Sequence, residues 1–89
     1  MSTKSLERED TDVVDHEHCH IVVVNDDHNP FDHVISTFVD VLGHTHEQAE
    51  QLAMIIHHKG SARVKNGTFE ELQVPCEKLI AADLDATIE

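Results

Sequence analysis

Asn25, Asp26 and Asp27 stand together at the end of the apolar run IVVV, and His57 closes a later segment striped with apolar residues. Side chains alternate along a strand, so extended geometry kept through residue 27 puts Asn25 and Asp27 on one side and Asp26 on the other. That side then holds an amide carbonyl and a carboxylate, and a neutral His57 imidazole packed towards it adds a third acceptor. Three acceptors suit an ammonium group, which has three donors and no acceptor. Hydrogen bonds of this charge-assisted kind are roughly twice as strong as neutral ones. Val24, Phe31, Val34, Ala53 and Ile56 flank the same polar groups. A cleft among them makes a two-part receptor that reads a cation and the apolar side chain beside it. Plainer readings stand next to this one. Asn and Asp are ordinary turn residues, His57 also reads as a histidine closing a helix, and the apolar positions also read as core.

Other chemistries find less support. His16, His18, Cys19 and His20 form a dense HEHCH cluster, and His44 and His46 a second pair. Imidazole and thiolate suit zinc or copper, but structural zinc sites use four ligands in spaced pairs, and no second CxxC or HxxxH occurs. The tail cluster is the one metal candidate. Asp26, Asp27 and His57 have acid–base character, yet no nucleophile setting, glycine-rich phosphate loop or cofactor motif accompanies them. A binding module without cofactor is expected, not an enzyme.

The charge balance points the same way. Eighteen acids against six bases give −12. Such a surface repels phosphate backbones and anionic lipid and attracts cations, so neither nucleic acid nor membrane is an expected partner. Cys19 and Cys76 are isolated thiols that suit a reducing cytoplasm rather than a disulfide framework. The acidic N-terminus lacks the apolar core of a secretory signal. No apolar run approaches the roughly 20 residues that span a bilayer.

The elements that must position the candidate residues follow from local pattern. At 89 residues the chain makes one domain, whose core Val, Ile, Leu and Ala must build because aromatics are scarce. Residues 1–18 read as a flexible acidic tail, with Val13 and Val14 the one place for an extra strand, and 19–89 as the folded domain. Residues 20–25 read as a fully buried strand. Asn29 is the expected N-cap of a first helix, with Pro30 in its first turn. Phe31, Val34, Ile35, Phe38, Val41 and Leu42 form its apolar face, and Gly43 ends it. Thr45 and Gln48 make a capping box for a second helix that Gly60 closes. Residues 61–65 suggest a strand, Asn66-Gly67 a turn, and Phe69 and Leu72 loop anchors. A short third helix is expected from about Val74, with Pro75 in its first turn, to about Ala82, before a last strand in LDATIE. The order β-α-α-β-α-β predicts a small α/β sandwich, a three-stranded antiparallel sheet with three helices on one face.

VNDDHNPFDHVI, followed by IIHHKGSA, resembles the ClpS family, adaptors of bacterial Clp proteases. The family pattern is a strand ending in Val-Asn-Asp-Asp, a threonine or similar residue, a Pro-led helix, and later a helix ending His-x-x-Gly. The resemblance covers about residues 20–82. It implies a receptor for N-degrons that binds proteins beginning with Leu, Phe, Tyr or Trp. It further implies delivery to the N-domain of a Clp AAA+ unfoldase, ClpA or a ClpC-like relative, by a cytoplasmic monomer. The family's amine-binding residues fall on Asn25, Asp27 and His57. Its side-chain pocket falls on Val24, Phe31, Val34, Ala53 and Ile56, with Leu84 completing it. Docking on the unfoldase falls on His28, Gln73 and Lys78, and the tail matches the family's delivery extension. Phe31 and Ala53 stand where the family commonly has Met, so an altered preference among the four residues is expected. Against the family pattern the third helix is expected to be about two turns short.

Overall fold

The fold is built around one central strand with a polar corner at its end. The computed structural model describes residues 17–89. Residues 1–16 of the tail, with Val13-Val14 and His16, therefore lie outside the described residues. The elements are β1 (Cys19–Val24), α1 (Phe31–Leu42), α2 (His46–Lys59), β2 (Ser61–Gly67), α3 (Phe69–Ala81) and β3 (Asp85–Ile88), in the order expected. The sheet runs β2-β1-β3, and β1 is antiparallel to both neighbours.

β1 departs from the expected fully buried strand. Cys19, Ile21 and Val23 are buried, while His20 and Val22 are half-buried and Val24 is exposed. Helices on one sheet face cover one set of alternate side chains and leave the other near water. Phe38, Ile21, Leu72 and Leu79 are the largest fully buried side chains. The register shifts between Ile21, opposite Lys65, and Val22, opposite Arg63. Val64 is therefore the extra residue of a bulge.

The ends of α2 follow the local sequence pattern, and the start of α1 departs from it. Thr45 and Gln48 form the expected capping box, with Gln48 N–H donating to Thr45 Oγ1 at 3.1 Å and Thr45 N–H to Gln48 Oε1 at 3.0 Å. Gly43 and Gly60 end their helices in the left-handed region, at φ 74° and 95°. Asn29 does not cap α1. The boundary residue is Pro30, without a side-chain cap, and the Asn29 amide turns away to Asp26 and to the Asp83 carbonyl.

The third helix starts earlier than the sequence pattern predicts. α3 has 13 residues, begins at Phe69 instead of about Val74, and carries Pro75 in its interior instead of its first turn. A second capping box, Thr68 with Glu71, starts it. Pro75 removes one intrahelical N–H, but the helix runs on unbroken, and Leu72, Cys76 and Leu79 stay buried on one face, which offsets the lost bond. Asn66-Gly67 is not a hairpin turn. Gly67 ends β2 beside the capping carboxylate, and a Cβ there would lie 2.9 Å from Glu71 Oε1.

Candidate functional site

The register of β1 brings the site together. Its last residue, Val24, pairs with Ser61 at the start of β2 and with Asp85 at the start of β3. Ser61 directly follows Gly60, the end of α2, so the last turn of α2 with His57 arrives at this corner. Leu84 directly precedes Asp85 and arrives from the other side. Asn25 N–H donates to the Gly60 carbonyl at 2.7 Å and fastens the corner.

A cavity of about 230 Å³ opens there. Val23, Ala53, Ile56 and Leu84 line it as buried side chains, between 2% and 5% exposed, and form its floor. Val34 is half-buried on one wall. Val24 and Phe31, 40% and 38% exposed, form the lip. Asn25, Asp27 and His57 line the cavity and are exposed. The nine residues singled out for the amine and the side-chain pocket thus border one space.

Asp26, Asn29 and Val23, which the sequence pattern does not assign to the amine site or the side-chain pocket, border it too. Alternation had sent Asp26 to the opposite side, but β1 ends at Val24 and residues 27–29 turn, so a strand's period does not carry that far. The Asp26 carboxylate is half-buried and organises the loop. Its Oδ1 accepts from His28 N–H and Asn29 N–H, both at 3.2 Å, and its two oxygens accept from the Asn29 amide at 3.0 and 3.1 Å. The Asn29 amide also donates to the Asp83 carbonyl at 2.8 Å, and His33 Nε2 meets the Ala82 carbonyl at 2.7 Å. These bonds tie the start of α1 to the loop that carries Leu84. The local signal for Asp26 was an Asx turn, a carboxylate serving N–H groups two and three residues on.

Two adjacent carboxylates, an amide and an imidazole above an aliphatic floor can hold a cation and an apolar group at once. No Ser, Thr or Cys side chain is among the described residues that line the cavity. The His57 ring meets the His58 ring edge-on, with centroids 5.3 Å apart and planes at 73°.

The other candidates lie apart from this space. His28 is exposed, and its Nε2 lies 2.8 Å from Asp83 Oδ2. Gln73 and Lys78 are exposed on α3. In the tail cluster, Cys19 is buried, His18 is exposed and His20 Nδ1 lies 2.7 Å from Asn66 Oδ1. No group of three or more His, Cys, Asp or Glu able to hold a metal ion occurs among the described residues. A second, more open cavity of about 270 Å³ is lined by His44, Gln48, Gln51, Leu52 and Ile55, without a carboxylate. Among the described residues, no helix is long and apolar enough to cross a membrane.

Comparison with known proteins agrees on fold and family. Residues 15–87 match the family described as ATP-dependent Clp protease adaptor protein ClpS. The chain is 32% identical over 68 residues to the ATP-dependent Clp protease adapter protein ClpS of Streptomyces coelicolor, spanning 76% of this chain and 71% of that one. It is 30% identical over 78 residues to the ClpS of Nautilia profundicola, spanning 88% and 80%. Among solved structures, Agrobacterium tumefaciens ClpS2 bound to L-phenylalaninamide superposes with a TM-score of 0.77 at 20% identity, covering 83% of this chain and 96% of that one. At that identity the superposition establishes the fold, while the family rests on the sequence matches. With the NDD corner, the His57 helix end and the β-α-α-β-α-β order in place, this chain belongs to the ClpS family of ATP-dependent Clp protease adaptor proteins.

Proposed function

We propose that this adaptor binds proteins by a free N-terminal amine and a bulky hydrophobic first side chain, and delivers them to a Clp AAA+ unfoldase in the cytoplasm. One observation carries the reading: Asn25, Asp27 and His57 border the same cavity as Val24, Phe31, Val34, Ala53, Ile56 and Leu84. The first three hold the ammonium group, and the others hold the side chain. Asp26 adds negative charge beside them. That ClpS2 of Agrobacterium tumefaciens binds L-phenylalaninamide supports the assignment, since that ligand joins an amine to a large apolar side chain.

The energetics suit a two-part signal. An α-amino group has a pKa of roughly 7.7–8.0 and is mostly cationic at neutral pH. Burying a Leu or Phe side chain contributes about 1.5–3 kcal/mol. Association itself costs several kcal/mol, so neither half suffices without the other. Docking on the N-domain of a ClpA- or ClpC-like unfoldase is assigned to Gln73 and Lys78 on the exposed side of α3, with His28.

Fluorescence anisotropy with a labelled peptide beginning in Phe, and with its acetylated twin, tests this. The free peptide binds, and acetylation weakens it at least about tenfold, as loss of charge-assisted bonds requires. Equal binding of both peptides, or of neither, overturns the reading.

A further inference from the structure

We infer that the pocket ranks a phenyl side chain above an isobutyl one, and that Ala53 and Phe31 set this order. The inference rests on the amine-and-side-chain reading above and gives it a direction. Ala53 is 3% exposed and lies in the cavity floor. It ends at Cβ, so the space above its methyl belongs to the cavity. An isobutyl group ends two bonds short of the tip of a phenyl ring. It leaves part of the floor unfilled and forfeits the contacts there. Floor and wall do not close that gap by reshaping, because Ile56 in the floor and Val34 on the wall are β-branched and stiff at χ1.

The lip acts in the same direction. Phe31 is the first residue of α1, directly after Pro30, whose ring fixes its own φ. Its side chain is 38% exposed at the mouth. An incoming ring can stack against Phe31 or meet it edge to face, which an aliphatic group cannot do. Aromatic pairing of this kind adds stabilisation beyond buried area and corresponds to about two- to tenfold in affinity.

The test uses the full chain and two free-amine peptides that differ only in a first Phe or Leu. Their dissociation constants are measured on wild type, Phe31→Leu and Ala53→Leu, with circular dichroism melts as a fold control. Wild type binds the Phe peptide about two- to tenfold more tightly. Phe31→Leu, at an exposed position, lowers the ratio but does not invert it, because the floor over Ala53 is unchanged, while acetylation still weakens binding. Ala53→Leu fills the floor and makes the Leu peptide the tighter ligand. If Ala53→Leu fails to fold, Phe31→Leu decides alone. Free-amine peptides that bind with Leu equal to or tighter than Phe on wild type overturn this ranking but leave the amine reading intact, as does a ratio that Phe31→Leu leaves unchanged. Failure of every free-amine peptide removes both.

Discussion

The backbone N–H of Asn25 donates to the carbonyl of Gly60 across 2.7 Å. That bond joins the end of β1 to the end of α2, and so joins the carboxylate side of the candidate site to the imidazole side. Gly60 holds φ 95°, and a Cβ there would meet nothing within 4 Å. A side chain at this position is therefore disfavoured by backbone conformation and not by space.

Gly60→Ala should lower stability by roughly 1–2 kcal/mol, the cost of left-handed backbone for an L-residue, and should also weaken binding of a free-amine peptide. Gly43→Ala is the control, because Gly43 is likewise left-handed at φ 74° with no contact for a Cβ but lies outside the cavity. Chemical denaturation and anisotropy on both variants should show similar stability losses and a binding loss only for Gly60→Ala.

The two carboxylates should separate by assay. Asp27 is exposed, so Asp27→Ala should leave the melting temperature nearly unchanged and weaken the free-amine peptide about tenfold or more. Asp26 accepts from two backbone N–H groups and the Asn29 amide. Asp26→Ala should therefore lower stability by about 1–3 kcal/mol as well as affinity, as thermal melts paired with titrations would register.

Thr68→Ala should remove the cap of α3, since Thr68 Oγ1 accepts from Glu71 N–H at 3.1 Å. The expected loss is about 0.5–2 kcal/mol, measured by urea denaturation. Amide hydrogen exchange should rise first at residues 69–72, and peptide affinity should change little.

His44 should make stability fall on acidification. Its ring lies edge-on to Phe38, with centroids 6.1 Å apart, and its buried Nδ1 has no hydrogen-bond partner. Burial holds its pKa below the ordinary histidine value, a hydrogen bond to the Val64 backbone opposes that, and Lys65 adds to it. A group whose folded pKa is depressed binds more protons when unfolded, so its contribution is complete above the unfolded value near 6.5 and fades as pH falls below it. Denaturation midpoints between pH 7.5 and 5 should drop more steeply for wild type than for His44→Gln.

How far the sequence could be read depended on whether the cause was local. Thr45 with Gln48 marked the start of α2, and Gly43 and Gly60 the helix ends, because each signal lies within a few residues of the backbone it shapes. Thr68 and Glu71 carry the same kind of signal, but Asn66-Gly67 has the composition of a hairpin turn and Pro75 suits a helix start, and both point to a later start for α3. Gly67 instead pairs with Cys19 at the end of β2, and Pro75 is tolerated mid-helix because Leu72, Cys76 and Leu79 are buried around it. Neither fact has a local signature.

By itself the sequence determined the order of the elements, the acidic charge, the polar corner after Val24 and the residue types able to hold an ammonium group beside an apolar side chain. The tertiary structure decided which groups share one space. Pairing of Val24 with both Ser61 and Asp85 brings His57, Ala53 and Leu84 to that corner from distant parts of the chain. The turn after Val24 places Asp26 there as well. Periodicity reports which face of an element is apolar, whereas convergence of separate segments depends on strand register and helix packing, which are set only when the whole chain has folded.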